Sequence, residues 1–139
     1  MIESTLVLIK PDAFAKHYTG DIIKRYEAAG LQISAMKLLQ MTPQLAAKHY
    51  AEHIGREYYE GLASFMTSGP LIAMVLRGED AIERVRALNG VTDPAKAAPG
   101  TIRHDFAEST RHNAVHASDG PESAVREIHI FFNETEIYI

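Results

Sequence analysis

The chain's first apolar run, Thr5-Leu6-Val7-Leu8-Ile9, is continuous and partly β-branched, as expected of a strand buried on both faces. Lys10-Pro11-Asp12 stops it, because proline has no N–H to give to a ladder. A helical period follows. Ile22, Ile23, Tyr26 and Ala29 share one stripe, predicting a helix over residues 21–29 with Gly30 as its C′ residue. Residues 31–39 read as a second strand. Thr42 caps a helix with Pro43 at its first position, running to about residue 52. Another helical stretch covers 57–66, with Tyr58, Leu62, Phe65 and Met66 apolar. Residues 71–76 form a third buried strand. A helix over 79–88 carries Ile82 and Val85 inward, and Gly90 lies just beyond its end. From 89 to 111 periodicity fails, and Gly90, Pro94, Pro99 and Gly100 punctuate a long loop. Such loops are uncommon inside a domain and often functional. A short fourth strand is expected over 113–116. A last helix covers 119–132, with Asp119 and Glu122 in capping-box spacing and Pro121 in the first turn. This order suggests an α+β or α/β sandwich of helices on a sheet, with the strand order left open.

Composition narrows the class. The 139 residues make one ordinary domain, 1–139, and 46% hydrophobic with 23% charged residues is normal for a globular protein. There is no cysteine, so disulfides and thiolate zinc sites are excluded. A formal net charge of -4 disfavours non-specific nucleic-acid binding. The runs at 6–9 and 71–76 are too short for a signal core or a membrane span. The expectation is a cytoplasmic protein with no membrane or nucleic-acid partner.

Candidate chemistry begins with absences. There is no P-loop, no protein-kinase signature set and no Gly-x-Ser-x-Gly elbow. The sharpest segment is Asn113-Ala114-Val115-His116-Ala117-Ser118-Asp119-Gly120, which sets a histidine at a strand end beside a helix start. Taken singly, the candidates have bland readings. His116 would be structural, Lys10 a strand end, Tyr58 and Leu62 core, Glu127 a solvated acid, and Arg86 the ion-pair partner of Glu83. His49 and His53 stand at metal-ligand spacing on a predicted helix, but no third ligand is evident.

Four segments in order change that balance: Ile9-Lys10-Pro11-Asp12-Ala13, Phe65-Met66-Thr67-Ser68-Gly69-Pro70, Pro99-Gly100-Thr101-Ile102-Arg103, and Asn113-x-x-His116-x-Ser118-Asp119. At this spacing the chain resembles the nucleoside diphosphate kinase family from Thr5 to about Phe132. The resemblance implies a ferredoxin-like fold with a four-stranded antiparallel sheet covered by helices. It implies a ping-pong transfer of the γ-phosphoryl group through a pros-phosphohistidine on His116, with Glu127 orienting the ring and Tyr50 beside it. Lys10 would contact the phosphates and the ribose 3′-hydroxyl, and Asn113 the same hydroxyl. Arg86, Thr92 and Arg103 would bind phosphates. Tyr58 would stack on the base with Leu62 beneath it. Mg²⁺ would be held mainly by the nucleotide phosphates, and the assembly would be a homotetramer or homohexamer. The tail Glu136-Ile137-Tyr138-Ile139 is also expected to pack on a neighbouring subunit.

These roles are physically coherent. Phosphoryl transfer needs positioning and charge neutralisation, and imidazole attacks through a neutral nitrogen. Glu127 would act by fixing the ring and stabilising the positive charge that develops on it during attack. Three departures from the family pattern stand out. Ala117 replaces a glycine, which would be strained if the position needs positive φ. Gly120 replaces a frequent serine. Tyr58 replaces phenylalanine and follows Glu57 rather than proline. Two rivals share the same residues: a nucleotide-binding regulatory protein, which would not need His116, and a nucleic-acid scaffold, which the acidic balance disfavours.

Overall fold

Alternation along the first strand organises both layers of the core. In the computed structural model, which describes residues 1–139, β1 (Ile2–Ile9) sends Val7 and Ile9 into one apolar cluster and Leu6 and Leu8 into another. A strand carrying apolar side chains on both faces must be covered on both. The elements follow in the order β1, α1 (Pro11–Ala15), α2 (Thr19–Ala28), β2 (Gln32–Gln40), α3 (Pro43–His49), α4 (Tyr59–Met66), β3 (Pro70–Glu79), α5 (Ala81–Asn89), α6 (Ile102–Phe106), β4 (Val115–Ala117) and α7 (Pro121–Phe131). Short 3₁₀ turns cover Ala51–His53 and Glu134–Glu136.

The sheet has four strands in the order β2-β3-β1-β4, and every neighbouring pair is antiparallel. The expected four-stranded antiparallel, helix-covered sheet is therefore present. On one face Ile22 and Tyr26 of α2 and Ala81 and Val85 of α5 join Val7, Ile9 and Met74. On the other, Ala46, Met66, Ile128 and Phe131 of α3, α4 and α7 join Leu6, Leu8 and Val75.

Several boundaries depart from the pattern-based reading. Lys10-Pro11-Asp12 ends β1 but also starts a helix, because a proline at the first helical position gives up only an N–H that would be unpaired anyway. The helix expected to reach residue 52 ends at His49 and passes into the 3₁₀ turn, so His49 and His53 do not share a helical face. The long loop contains α6, capped by the Thr101 hydroxyl, which accepts from His104 N at 3.3 Å. The Asp119–Glu122 capping box does not form. Ser123 Oγ instead accepts from the N–H groups of Gly120 at 3.0 Å and Asp119 at 3.2 Å, and donates to Asp119 Oδ1 at 2.6 Å. The tail makes contacts within its own chain, where Tyr138 N donates to Ser34 O of β2 at 2.7 Å, Glu136 pairs with Lys37 and Ile137 joins the second cluster, while the side chains of Tyr138 and Ile139 stay exposed. No helix is long and apolar enough to cross a membrane.

Candidate active site

β4 carries the site. In its antiparallel pairing with β1, His116 lies opposite Leu8, while Val115 and Ala117 turn into the first core cluster. The two-residue period therefore turns His116 toward the layer of α3, α4 and α7. The register depends on a strained residue: Ala114 has φ 73, its N–H donates to Asp12 Oδ2 at 3.1 Å, and its carbonyl accepts from Lys10 N at 2.8 Å. Asp12, on α1, thus fixes the approach of β4 to the end of β1. Ala117 is not in the left-handed region, so its replacement of glycine brings no backbone strain. Gly120, at φ -173, is ordinary extended backbone with open space around a Cβ, so nothing in the fold demands glycine there.

α7 brings the partner. Glu127 is buried, and its Oε1 lies 2.8 Å from His116 Nε2 and accepts from Ser118 Oγ at 2.9 Å. A carboxylate oxygen only accepts, so Nε2 carries the proton in the neutral ring and Nδ1 keeps the lone pair. Ser118 Oγ also accepts from Leu6 N at 3.2 Å, linking this pair to β1. Ser118 belongs to the last sequence motif, and its part in the site depends on a strand 112 positions away.

His116 opens into a cleft of about 620 Å³ that all ten sequence-predicted residues line: Lys10, Tyr50, Tyr58, Leu62, Arg86, Thr92, Arg103, Asn113, His116 and Glu127. Lys10 is buried and donates to Asn113 Oδ1 at 2.8 Å. Burial, then the charge of Arg103, lowers its pKa to about 8, and Asp12 partly opposes this. Arg103 reaches from α6 and donates to the carbonyls of Gly90 and Val115, each at 2.8 Å, which leaves its Nε without a partner. Arg86 makes no ion pair with Glu83 and faces the cleft. Tyr58 is 45% exposed, so it is not core, and Glu127 at 5% is not a solvated acid.

Tyr50 is expected near His116, but His49, read from the sequence only as a possible metal ligand, is the ring that meets it directly. His49 is buried with both ring nitrogens unpartnered, and its ring meets His116 edge-on at 4.7 Å. Burial above all, then the charge of His116, pushes its pKa down to about 2, so it is a neutral wall. Tyr50 packs against it at 4.4 Å, and burial followed by the charge of Glu127 raises the Tyr50 phenol above its usual value. His49, His116 and Glu127 hold possible ligand atoms within 4.8 Å of one another. The surroundings oppose a cation there, since Lys10, Arg86, Arg103, Arg111 and Arg126 line the cleft against three carboxylates, Glu52, Asp119 and Glu127. Within a chain of net charge -4, this cleft is locally cationic and suits a polyanion.

The family model for nucleoside diphosphate kinase matches residues 3–137. The chain belongs to the nucleoside diphosphate kinase family. A nucleoside diphosphate kinase of Psychromonas ingrahamii is 56% identical over 98% of this chain and 94% of its own. One from Methanocaldococcus jannaschii is 52% identical over 99% of both chains. Among solved structures, the Aquifex aeolicus nucleoside diphosphate kinase superposes with a TM-score of 0.96 at 45% identity, covering 99% of each chain. The halophilic nucleoside diphosphate kinase from Halobacterium salinarum, solved in complex with CDP, gives 0.97 at 42% identity over 100% of this chain and 93% of that one. These family members share the ferredoxin-like arrangement described above.

Proposed function

We propose that the chain is a nucleoside diphosphate kinase working by ping-pong transfer through His116, and so maintains nucleoside and deoxynucleoside triphosphate pools. The observation that carries the assignment of the nucleophile is the Nε2–Glu127 pair, which leaves Nδ1 with its lone pair at the edge of a cationic cleft. Nδ1 attacks the γ-phosphorus, the bond to the leaving oxygen breaks, and the nucleoside diphosphate departs with that electron pair. The ring then bears a phosphoryl group on Nδ1 and a growing positive charge, which Glu127 offsets through Nε2–H. A β-phosphate oxygen of a second nucleoside diphosphate attacks in the reverse sense and restores His116.

The other residues take roles in binding. Lys10 and Asn113 already touch, and together present an ammonium and an amide to the phosphates and the ribose 3′-hydroxyl. Arg103, locked by two backbone carbonyls, supplies a fixed charge to the phosphates, with Arg86 and Thr92 beside it. Tyr58 over Leu62 offers a face to the base, and stacking alone selects weakly among bases. The halobacterial relative was solved in complex with CDP, which supports a nucleotide as this chain's ligand. Mg²⁺ suits this donor set as a companion of the phosphates. The cleft's exposed carboxylates, Glu52 and Asp119, are single and apart from any cluster, so the nucleotide itself would hold the ion and the ion would neutralise phosphate charge. The exposed Met36 and Leu38 on the edge strand β2 favour a homo-oligomer, a tetramer or hexamer, which native mass measurement would resolve.

Incubation with γ-labelled ATP tests the central step. The label should transfer to the protein, resist base, be lost in acid, and leave quantitatively on addition of a nucleoside diphosphate. Labelling that persists in His116→Ala, or that survives acid but not base, would refute the phosphohistidine.

A further inference from the structure

His53 takes no part in the chemistry above, yet it stands between two residues that line the site. Its Nδ1 lies 2.5 Å from the Tyr58 hydroxyl, and its ring centroid is 5.6 Å from Tyr58 and 6.0 Å from Tyr50. The aromatic neighbours run without a break from the nucleophile outward: His116, His49, Tyr50, His53, Tyr58. Tyr50 is buried and His49 is buried, so the inner end of this row is anchored in the core. Tyr58, at its outer end, is 45% exposed and sits at the N-cap of α4 with no side-chain capping bond. The backbone joining His53 to Tyr58 is a turn through Gly55 at φ +90, with open space around it and no proline. Such a segment constrains the ring weakly by itself. The tether to His53 is what fixes the far end of the Tyr58 side chain. A tyrosine hydroxyl both donates and accepts, so either neutral tautomer of His53 makes this bond.

We infer that His53 is a positioning residue that holds the outer end of the Tyr58 side chain in place, and that it sets nucleotide affinity through the base without touching the transferred phosphoryl group. An exposed side chain that is free to change rotamer must be ordered when a base stacks on it, and one already tethered at its far end avoids that loss. The inference rests on Tyr58 being the base platform. It concerns a hydroxyl that a phenylalanine would lack, so it is a property of this chain's own pair of residues.

The test is a double-mutant cycle read as KM and kcat with ATP and ADP. His53→Ala should raise KM about 2- to 10-fold, the range for one hydrogen bond, with kcat changed by less than about twofold. Tyr58→Phe should show a similar rise, and the double variant should rise no further. His53→Asn sets an amide near the Nδ1 position and should keep KM close to that of the parent. The inference is overturned if His53→Ala leaves KM unchanged, if it lowers kcat instead, or if its effect persists undiminished in Tyr58→Phe. Tyr58→Ala separates the two layers. If it leaves KM unaltered, the base-platform reading fails and the inference with it; if KM rises while His53→Ala is silent, only the inference fails.

Discussion

At the scale of single residues, Lys10 shows how the site trades stability for function. Its ammonium is buried, with Asn113 as its hydrogen-bonding partner, and its pKa is lowered from 10.5 to about 8, chiefly by burial. The folded chain therefore releases this proton at lower pH than the unfolded chain. Between about pH 8 and 10.5 the unfolded state binds more protons, so Lys10's contribution to stability rises with pH across that window. Below pH 8 its cost is fully present, on the order of 3 kcal/mol before its hydrogen bond is credited. Lys10→Met should thus keep or raise Tm at pH 7, with the advantage shrinking toward pH 10, while kcat/KM falls about 10²- to 10³-fold. Calorimetry and steady-state rates over the same pH series check both halves; a large loss of Tm at pH 7 would contradict the account. Glu127 makes a second residue-level case. Glu127→Gln keeps an acceptor for His116 Nε2 and Ser118 Oγ but removes the charge that offsets the phosphorylated ring. Single-turnover phosphorylation should slow by about 10- to 100-fold, as for loss of a charge-assisted bond, with nucleotide affinity little changed.

At the scale of elements, what could be read locally was read, and what depends on distant partners was not. β1 and β3 are legible from their continuous apolar runs at 5–9 and 71–76, and α7 from Pro121 in its first turn. α1 and α6 span five residues each, too few for a helical period to register, and Pro11 was read as a stop when it also serves as a first turn. The fourth strand, expected over 113–116, forms over Val115–Ala117, where β1 pairs with it. The same divide runs through the site. His116, Lys10 and Arg103 were legible through motifs, whereas Ser118's bond to Glu127 and Asp12's bond to Ala114 join segments whose meeting no local pattern announces. Gly90 is where element and site depend on one another. It ends α5 at φ +86, and a Cβ there would meet Thr101, the cap of α6, at 2.7–3.1 Å. Its carbonyl also accepts from Arg103. Gly90→Ala should cost about 2 kcal/mol or more and lower Tm by several degrees, and it should raise nucleotide KM by shifting α6. A variant with parental Tm and parental KM would show that this junction is more pliant than its contacts imply.

At the scale of the whole molecule, net charge and local field point in opposite directions. A chain of net charge -4 gives no hint of anion binding, and the composition alone argued against polyanionic partners such as nucleic acid. Folding reverses the sign locally by bringing Lys10, Arg86, Arg103, Arg111 and Arg126, from five separate parts of the chain, around one cleft. The acidic remainder lies outside this cleft, so the cationic field is confined to one compact region. Salt should separate these contributions. The exposed Arg86 and Arg111 act through water and are screened within about 10 Å at 0.1 M ionic strength, whereas Lys10 and Arg103, buried or half-buried, are screened much less. Raising the salt from about 0.05 to about 0.5 M should therefore raise nucleotide KM several-fold and leave kcat nearly constant. Arg86→Gln should flatten that dependence, while Lys10→Met should lower affinity at every salt concentration with the slope retained. A KM indifferent to ionic strength would mean that steering by the exposed charges adds nothing, and that the buried pair alone captures the phosphates.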